Sequence, residues 1–438
     1  MNPSSNPPRW TRRDWLTRVL PGGAAIVATT CGRTAFARED DHPRSSPPDP
    51  KIGPSRKKVA AIVTTYYPRS HAYHIVGRFL WGYQFQGRHH RPPFEIASMY
   101  CDQIAENDVG QGLARRFDVR RAKTVADALT LGGDSLAVDA VLLIGEHGDY
   151  PLNAKGQKLY PRFELFERIV EVMERSKRSV PLFNDKHLSY DRNKAARMVE
   201  ECERLKIPLM AGSSLPVTWR RPELDLPLGS KIASALVAGY GPDEIYGFHG
   251  LETLQCMVER RLGGETGVKA VTGLRGEAVW KAGDAGVWSW DLLEHALGRS
   301  DTLNPGDVRV NVLKPLAIVV EYRDGFKGTV LLLNDQVADF NFAATLADRP
   351  KPVSCGFLLP GPPGANFFTP LTHHIETFFS TGVSPTPLVR TQLTGGILDV
   401  ALSSALDNGR RIETPDLALP YSPPADPGFA KGSPTSPA

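Results

Sequence analysis

Apolar positions along this chain recur with two different periods, and their alternation predicts the architecture. Short apolar, β-branched runs at 59–63, 94–100, 138–144 and 180–183 are too brief for helices and read as strands. Between and after them apolar residues recur at helical spacing, as at Ala195, Met198, Val199, Cys202 and Leu205. Helices are predicted near 111–117, 124–131 and 162–177, with a further strand near Val119. The stretch 180–214 is the most complete unit. It reads as a strand, a polar turn, a helix capped by Ser189 or Asp191, and a second strand after Pro208. That order makes a right-handed βαβ crossover, which belongs to a parallel sheet covered by helices. The run 138–144 ends in AVLLI with no polar face, as the middle of such a sheet requires. Residues 57–214 therefore predict a doubly wound, Rossmann-like domain.

From about residue 215 the texture changes. Runs at 229–240, 268–280, 316–334 and 337–347 are separated by Gly, Asp and Pro turns and predict a mostly antiparallel sheet, with Asp324 and Gly325 marking a hairpin. Helices are predicted at 251–262, 371–380 and 393–406, the last closed by Asn408 and Gly409. The predicted fold class is thus α/β, with an N-terminal parallel sheet and a C-terminal α+β domain over 215–420. Residues 421–438, rich in Pro, Gly and Ser, predict a disordered tail.

Composition changes this picture little. The 438 residues, 41% apolar and 23% charged, suffice for two domains with a sizeable core. The formal charge of +4 comes without a concentrated Lys/Arg stripe, so nucleic-acid binding has no support. The four cysteines beyond residue 37 are widely spaced and form no CxxC pair. Cys202 and Cys256 fall on apolar helix faces and are expected to be buried free thiols.

The N-terminus has a character of its own. Thr11, Arg12, Arg13, Asp14, Trp15 and Leu16 precede a mild apolar run to Thr30, and Ala35, Phe36 and Ala37 offer a small-x-small cleavage site. Residues 1–37 resemble a twin-arginine export signal, which implies the export machinery as a partner and a periplasmic location. The apolar run falls far short of the ~20 residues needed to span a bilayer. Residues 38–56 read as a flexible spacer.

Candidate chemistry collects at strand ends, where open parallel sheets place their ligands. His71 and His74 follow the first strand, Glu146, His147 and Asp149 follow 138–144, and Asp185, Lys186 and His187 follow 180–183. His, Asp and Glu at several strand ends also suit a divalent metal. We read them as substrate-facing or mutually hydrogen-bonded rather than as metal ligands.

The segments VDAVLLIG, VPLFNDKHLSYDRNKAARMVEECERLKIPLMAGSS, GFHGLETLQCMVER and PLVRTQLTGGILDVALSSALDNGRRIETP together resemble the Gfo/Idh/MocA oxidoreductases. The resemblance runs in order through most of 57–418. It implies a Rossmann domain binding NAD or NADP, a second domain holding a sugar or polyol, and a homo-oligomer. Lys186 matches the family lysine that holds substrate and cofactor, with Asp185 and His187 beside it where the family has Glu and Pro. His249 matches the family's catalytic base, and Glu252 stands in place of the usual Asp. Glu146, His147 and Asp149 are expected to face substrate. The resemblance breaks at the first turn, where a dinucleotide fingerprint needs Gly-x-Gly-x-x-Gly. Residues 64–72 read TTYYPRSHA and contain no glycine. A nucleotide held here would rely instead on Thr64, Thr65 and Arg69, with Asp102, ending the second strand, on the adenosine ribose. The functional expectation is NAD(P)-linked hydride transfer on a sugar, polyol or glycoside, with a redox-neutral route also open. The alternatives are a carbohydrate-binding protein that has lost the cofactor, and a metal-dependent hydrolase.

Overall fold

The computed structural model describes residues 56–360 and 365–434. The predicted export signal and all of the spacer except Arg56 lie outside the described residues. The first sheet is assembled from β1 (Lys57–Val63), α1 (His71–Trp81), a hairpin of β2 (Tyr83–Phe85) and β3 (Arg88–His90), β4 (Phe94–Cys101), α2 (Gly110–Arg116), β5 (Arg120–Arg121), α3 (Val125–Thr130), β6 (Ala140–Ile144), α4 (Arg162–Arg175), β7 (Leu182–Asp185), α5 (Arg192–Leu205) and β8 (Leu209–Gly212). Its order is β5-β4-β1-β6-β7-β8, and all its pairs are parallel. Connections therefore leave β1 in opposite directions, which places a switch-point crevice beside the C-terminal end of β1. Every residue of β6 is buried, because helices cover both faces. Ala60 and Ile62 point into a layer formed with α3, α4 and α5, while Val59, Ala61 and Val63 point into the opposite layer.

The second sheet follows in β9 (Arg220–Arg221), β10 (Ile232–Gly239), α6 (Asp243–Val258), β11 (Val268–Arg275), α7 (Glu277–Asp284), α8 (Trp290–Leu297), α9 (Val308–Asn311), β12 (Leu316–Tyr322), β13 (Lys327–Leu332), β14 (Phe340–Leu346), β15 (Val353–Phe357), α10 (Phe368–Thr381), α11 (Leu388–Leu406) and β16 (Ile412–Glu413). Its order is β16-β11-β12-β13-β10-β14-β15-β9, antiparallel except for the parallel pair β10 and β13. Both sheets belong to one compact unit.

Two helices join the sheets. α11 is buried on all sides because it packs on α5 and β8 of the first sheet and on α6 and β11 of the second. α6 begins at Asp243, eight residues earlier than its apolar pattern suggested. Gly247 and Gly250 weaken the local helical signal but serve the packing. A Cβ on Gly250 would lie 2.5 Å from Val330 Cγ1, so only glycine lets α6 lie directly on β13.

Two further features depart from expectation. The segment 276–280, read as the end of a strand, instead begins α7, because Gly276 turns the chain at φ +59° and Val279 and Trp280 drop onto the sheet. With α8, this helix covers the face of the second sheet opposite α6 and α11. Pairing of two copies through that face would therefore meet helices rather than bare sheet. The tail is ordered from 421 to 434. Tyr421 donates to Glu259 (2.6 Å), Arg260 donates to the carbonyls of Pro424 and Ala425, and the Phe429 ring lies under the Arg220 guanidinium at 4.0 Å. Its Pro-rich composition concealed these anchors, which only the folded surface supplies. Cys101, Cys202, Cys256 and Cys355 are free, the last three buried. No helix among the described residues is long and apolar enough to cross a membrane.

Candidate functional site

The site forms where α6 meets the C-terminal ends of β1, β6 and β7. Lys186 follows β7 in the left-handed conformation (φ +67°), and its backbone exchanges two 3.2 Å hydrogen bonds with Gly212 at the end of β8. A non-glycine residue held there is strained, and such strain persists only where its surroundings fix it. Here it brings Lys186 Nζ to 2.6 Å from His249 Nε2 on α6. The ammonium can only donate, so Nε2 accepts, and the His249 Nδ1–H is directed to Ser213 Oγ at 2.5 Å. Burial and the neighbouring ammonium hold His249 well below the usual imidazole range, keeping it neutral.

Beneath this pair lies a buried polar layer. Glu146 Oε1 is 3.7 Å from Lys186 Nζ, and Oε2 accepts from Arg162 at 2.5 Å. Burial alone would raise the Glu146 pKa, but Lys186 and Arg162 outweigh it and hold the carboxyl far below its ordinary value. Arg162 is wholly buried at the start of α4 and also reaches His187 Nε2 at 3.2 Å. That arginine can run under the sheet edge because residue 145 is glycine, where a Cβ would sit 2.5 Å from Arg162 Cγ. His187 in turn contacts Glu244 Oε1 at 3.2 Å.

Above the layer opens a cavity of about 460 Å³, lined by Arg69, His71, His74, Glu146, His147, Lys186 and His249 with a wall of Tyr246, Phe367 and Phe368. His71 Nδ1 meets Asp185 Oδ2 at 2.7 Å, and its ring lies edge-on to Phe368 and to His147. Arg69 is exposed at the rim, with φ +73°.

The predicted residues thus separate into two sets. Lys186, His249, Glu146, His147, Arg69, His71 and His74 converge on the cavity, and Asp185 stands behind His71. The others do not reach it. The Thr64 hydroxyl donates to the Glu146 carbonyl at 2.7 Å and stitches β1 to the loop after β6. His187 lies in the buried layer. Glu252 is buried against Thr394 and the Ser213 N–H, and burial raises its pKa despite Arg390. Asp149 is exposed, its backbone N–H and C=O both bonded to the Gln103 side chain. Asp102 is not presented bare, because its two oxygens accept from the hydroxyls of Tyr100 (2.8 Å) and Tyr150 (2.7 Å). Glu146, His147 and Asp149, adjacent in sequence, do not converge as a metal-binding set, and no such group occurs among the described residues. Two participants, Arg162 and Ser213, had escaped notice, and so had the pairing of His71 with Asp185, although both were named as candidates. Arg162 reads as an ordinary helix start, Ser213 carries no signal, and the partner of His71 lies 114 residues away.

The enclosed imidazoles predict a pH effect. His74 and His147 are each pushed down to about 4, by burial first, then by Arg78 for His74 and by His71 for His147. Between pH 6.5 and about 4 the unfolded chain takes up protons that these folded imidazoles refuse. Their contribution is therefore fully present above pH 6.5 and lost as pH falls, by on the order of 1–3 kcal/mol each. Urea midpoints should drop across that interval, and His147→Asn, which tolerates the left-handed backbone (φ +72°), should flatten the slope. Equal slopes in wild type and variant would contradict this assignment.

A parallel sheet in the order found here, joined to a second, mixed sheet by shared helices, is an α/β fold of two sheets. Solved structures share it. A probable dehydrogenase from Thermotoga maritima is similar over 82% of this chain and 99% of its own, at 12% identity and a TM-score of 0.50. A myo-inositol 2-dehydrogenase from Lactobacillus plantarum is similar over the same shares, at 12% identity and a TM-score of 0.51. At these identities the likeness is one of fold, and it has the two-sheet arrangement that the sequence resemblance implies. No family model matches the chain, and no curated protein matches it by sequence.

Proposed function

We propose that the chain is a Gfo/Idh/MocA-type oxidoreductase that transfers hydride between a sugar or polyol and NAD or NADP. The observation that carries this reading is the contact of Lys186, from the first sheet, with His249, from the second, on one cavity wall. An ammonium so held favours the alkoxide-like charge that develops on a substrate oxygen during oxidation. His249 and Glu146 fix its position, and Phe368 and Tyr246 shield the space from water. When bound, the nicotinamide ring would accept the hydride.

The reactive end of the nucleotide fits the residues present. Thr65 Oγ1 and His147 Nε2 are buried without a partner among the described residues, in the loops that flank the switch point. Of the two, His147 lines the cavity and would hold the ring, with Arg69 available to a phosphate. The adenosine end differs from a glycine-rich site, since Tyr150 and Gln103 tie the loops after β4 and β6 together over β1. That latch supports a second reading, a carbohydrate-binding protein without cofactor. Export through the twin-arginine route, supported by Arg12 and Arg13, belongs to the proposal as well, since that route carries folded and loaded proteins.

Mass spectrometry of nucleotide released on denaturing the protein, purified with its leader intact, tests the reading. Release of NAD or NADP, or binding of either when added back, is expected. Neither release nor binding would overturn it in favour of the second reading.

A further inference from the structure

Hydride abstraction from an alcohol needs a group to take the hydroxyl proton, and His249 is badly arranged for that role. Both its ring nitrogens are engaged, Nε2 by the Lys186 ammonium and Nδ1 by Ser213. His71 is arranged the other way. A carboxylate can only accept, so the 2.7 Å contact places the proton on Nδ1, directed at Asp185. The lone pair of the neutral ring is then on Nε2, which has no hydrogen-bond partner among the described residues. His71 lines the same cavity as Lys186 and retains 15% of its side-chain surface, whereas Asp185 behind it retains 2%. Phe368 and His147 meet the ring edge-on at 4.9 and 5.4 Å and hold its plane.

We propose that His71 is the proton acceptor of the reaction, with Asp185 its positioning residue. The inference rests on the oxidoreductase reading above. The substrate O–H bond breaks, its proton passes to His71 Nε2, and its electron pair forms the C=O bond. The C–H bond breaks with its pair leaving as hydride, which the oxidised nicotinamide dinucleotide would accept when bound. Lys186 steadies the oxygen throughout, so donor and acceptor functions fall on different residues. The acceptor comes from α1 of the first sheet, whose preceding turn has no glycine fingerprint. The titratable and charged groups facing His71 are Asp185, Glu146, His74, His147, Arg69, Lys186, His249 and Tyr246.

The test compares wild type, His71→Gln, Asp185→Asn and His249→Gln in full-length protein, with NAD and NADP and a panel of polyols. His71→Gln should lower kcat by about 10²–10⁴-fold. KM should change little, the acidic limb of the pH profile should vanish, and added imidazole should restore part of the rate. Asp185→Asn should lower kcat while shifting that limb. Full turnover in His71→Gln, or loss of the acidic limb in His249→Gln alone, overturns the assignment. ¹⁵N-histidine spectra give a readout independent of turnover. The His71 signal, identified by its absence in His71→Gln, should show the Nδ1–H tautomer in wild type and lose it in Asp185→Asn. An Nε2–H tautomer in wild type overturns the dyad even if the protein turns over. A wild type inactive on every polyol overturns the functional reading instead, and the spectra alone then decide the dyad.

Discussion

Lys186→Met should lower turnover by about 10²–10³-fold, the cost of removing one preorganised donor from a developing oxyanion. Methionine keeps the four-atom stem and removes the ammonium, with both its charge and its donors. The fold should survive, because Glu146 keeps its closer partner, Arg162, and the Lys186–Gly212 backbone bonds need no side chain. Melting temperatures within a few degrees of wild type are therefore expected alongside the lost activity. Lys186→Arg should not recover it. A planar fork cannot occupy the place of a compact ammonium between His249 at 2.6 Å and Glu146 at 3.7 Å. Near-wild-type turnover in Lys186→Met, measured with saturating nucleotide and substrate, would remove the basis of the site.

Arg162→Met should be the most destabilising change at the site. It strands Glu146, 1% exposed, with only the more distant Lys186 as a cation. It also takes the guanidinium from His187 and from the Tyr160 ring, whose centroid lies 5.0 Å away. Breaking a buried pair from one side costs about 3–5 kcal/mol, which for a chain of this size lowers Tm by roughly 4–6 °C. Adding Glu146→Gln should recover part of that loss, since a neutral amide no longer needs the cation. Urea and thermal denaturation of both single variants and the double variant measure the coupling. Strictly additive losses would mean that the two residues do not form one unit.

The two sheets and their crossovers were legible because their strands obey local rules. The AVLLI run, short and ending in polar residues, reads as a strand buried on both faces, and the spacing from Ala195 to Leu205 as a helix with one apolar face. Strand ends then pointed to Glu146, His147 and Lys186, and the family pattern to His249. What escaped depends on contacts distant in sequence. Arg162 looks like an exposed helix start, and only the bare Gly145 beside it permits its burial. Asp102 looked open to a ribose because nothing near it in sequence announces Tyr150. α7 was hidden by a short apolar run that suits strand and helix equally. The tail at 421–434 has the composition of a linker, and its order comes from Glu259, Arg260 and Arg220 on the surface it covers.

Single-turnover absorbance on nucleotide-loaded protein tests the central claim most directly. Purified wild type and Lys186→Met are saturated with oxidised NAD or NADP and mixed with a panel of polyols and sugars. The account predicts the near-ultraviolet band of reduced nicotinamide within one turnover in the wild type for at least one polyol, and its suppression in Lys186→Met. No reduced nicotinamide from any polyol in a wild type shown to bind the nucleotide, or an equal yield in the two proteins, would contradict it.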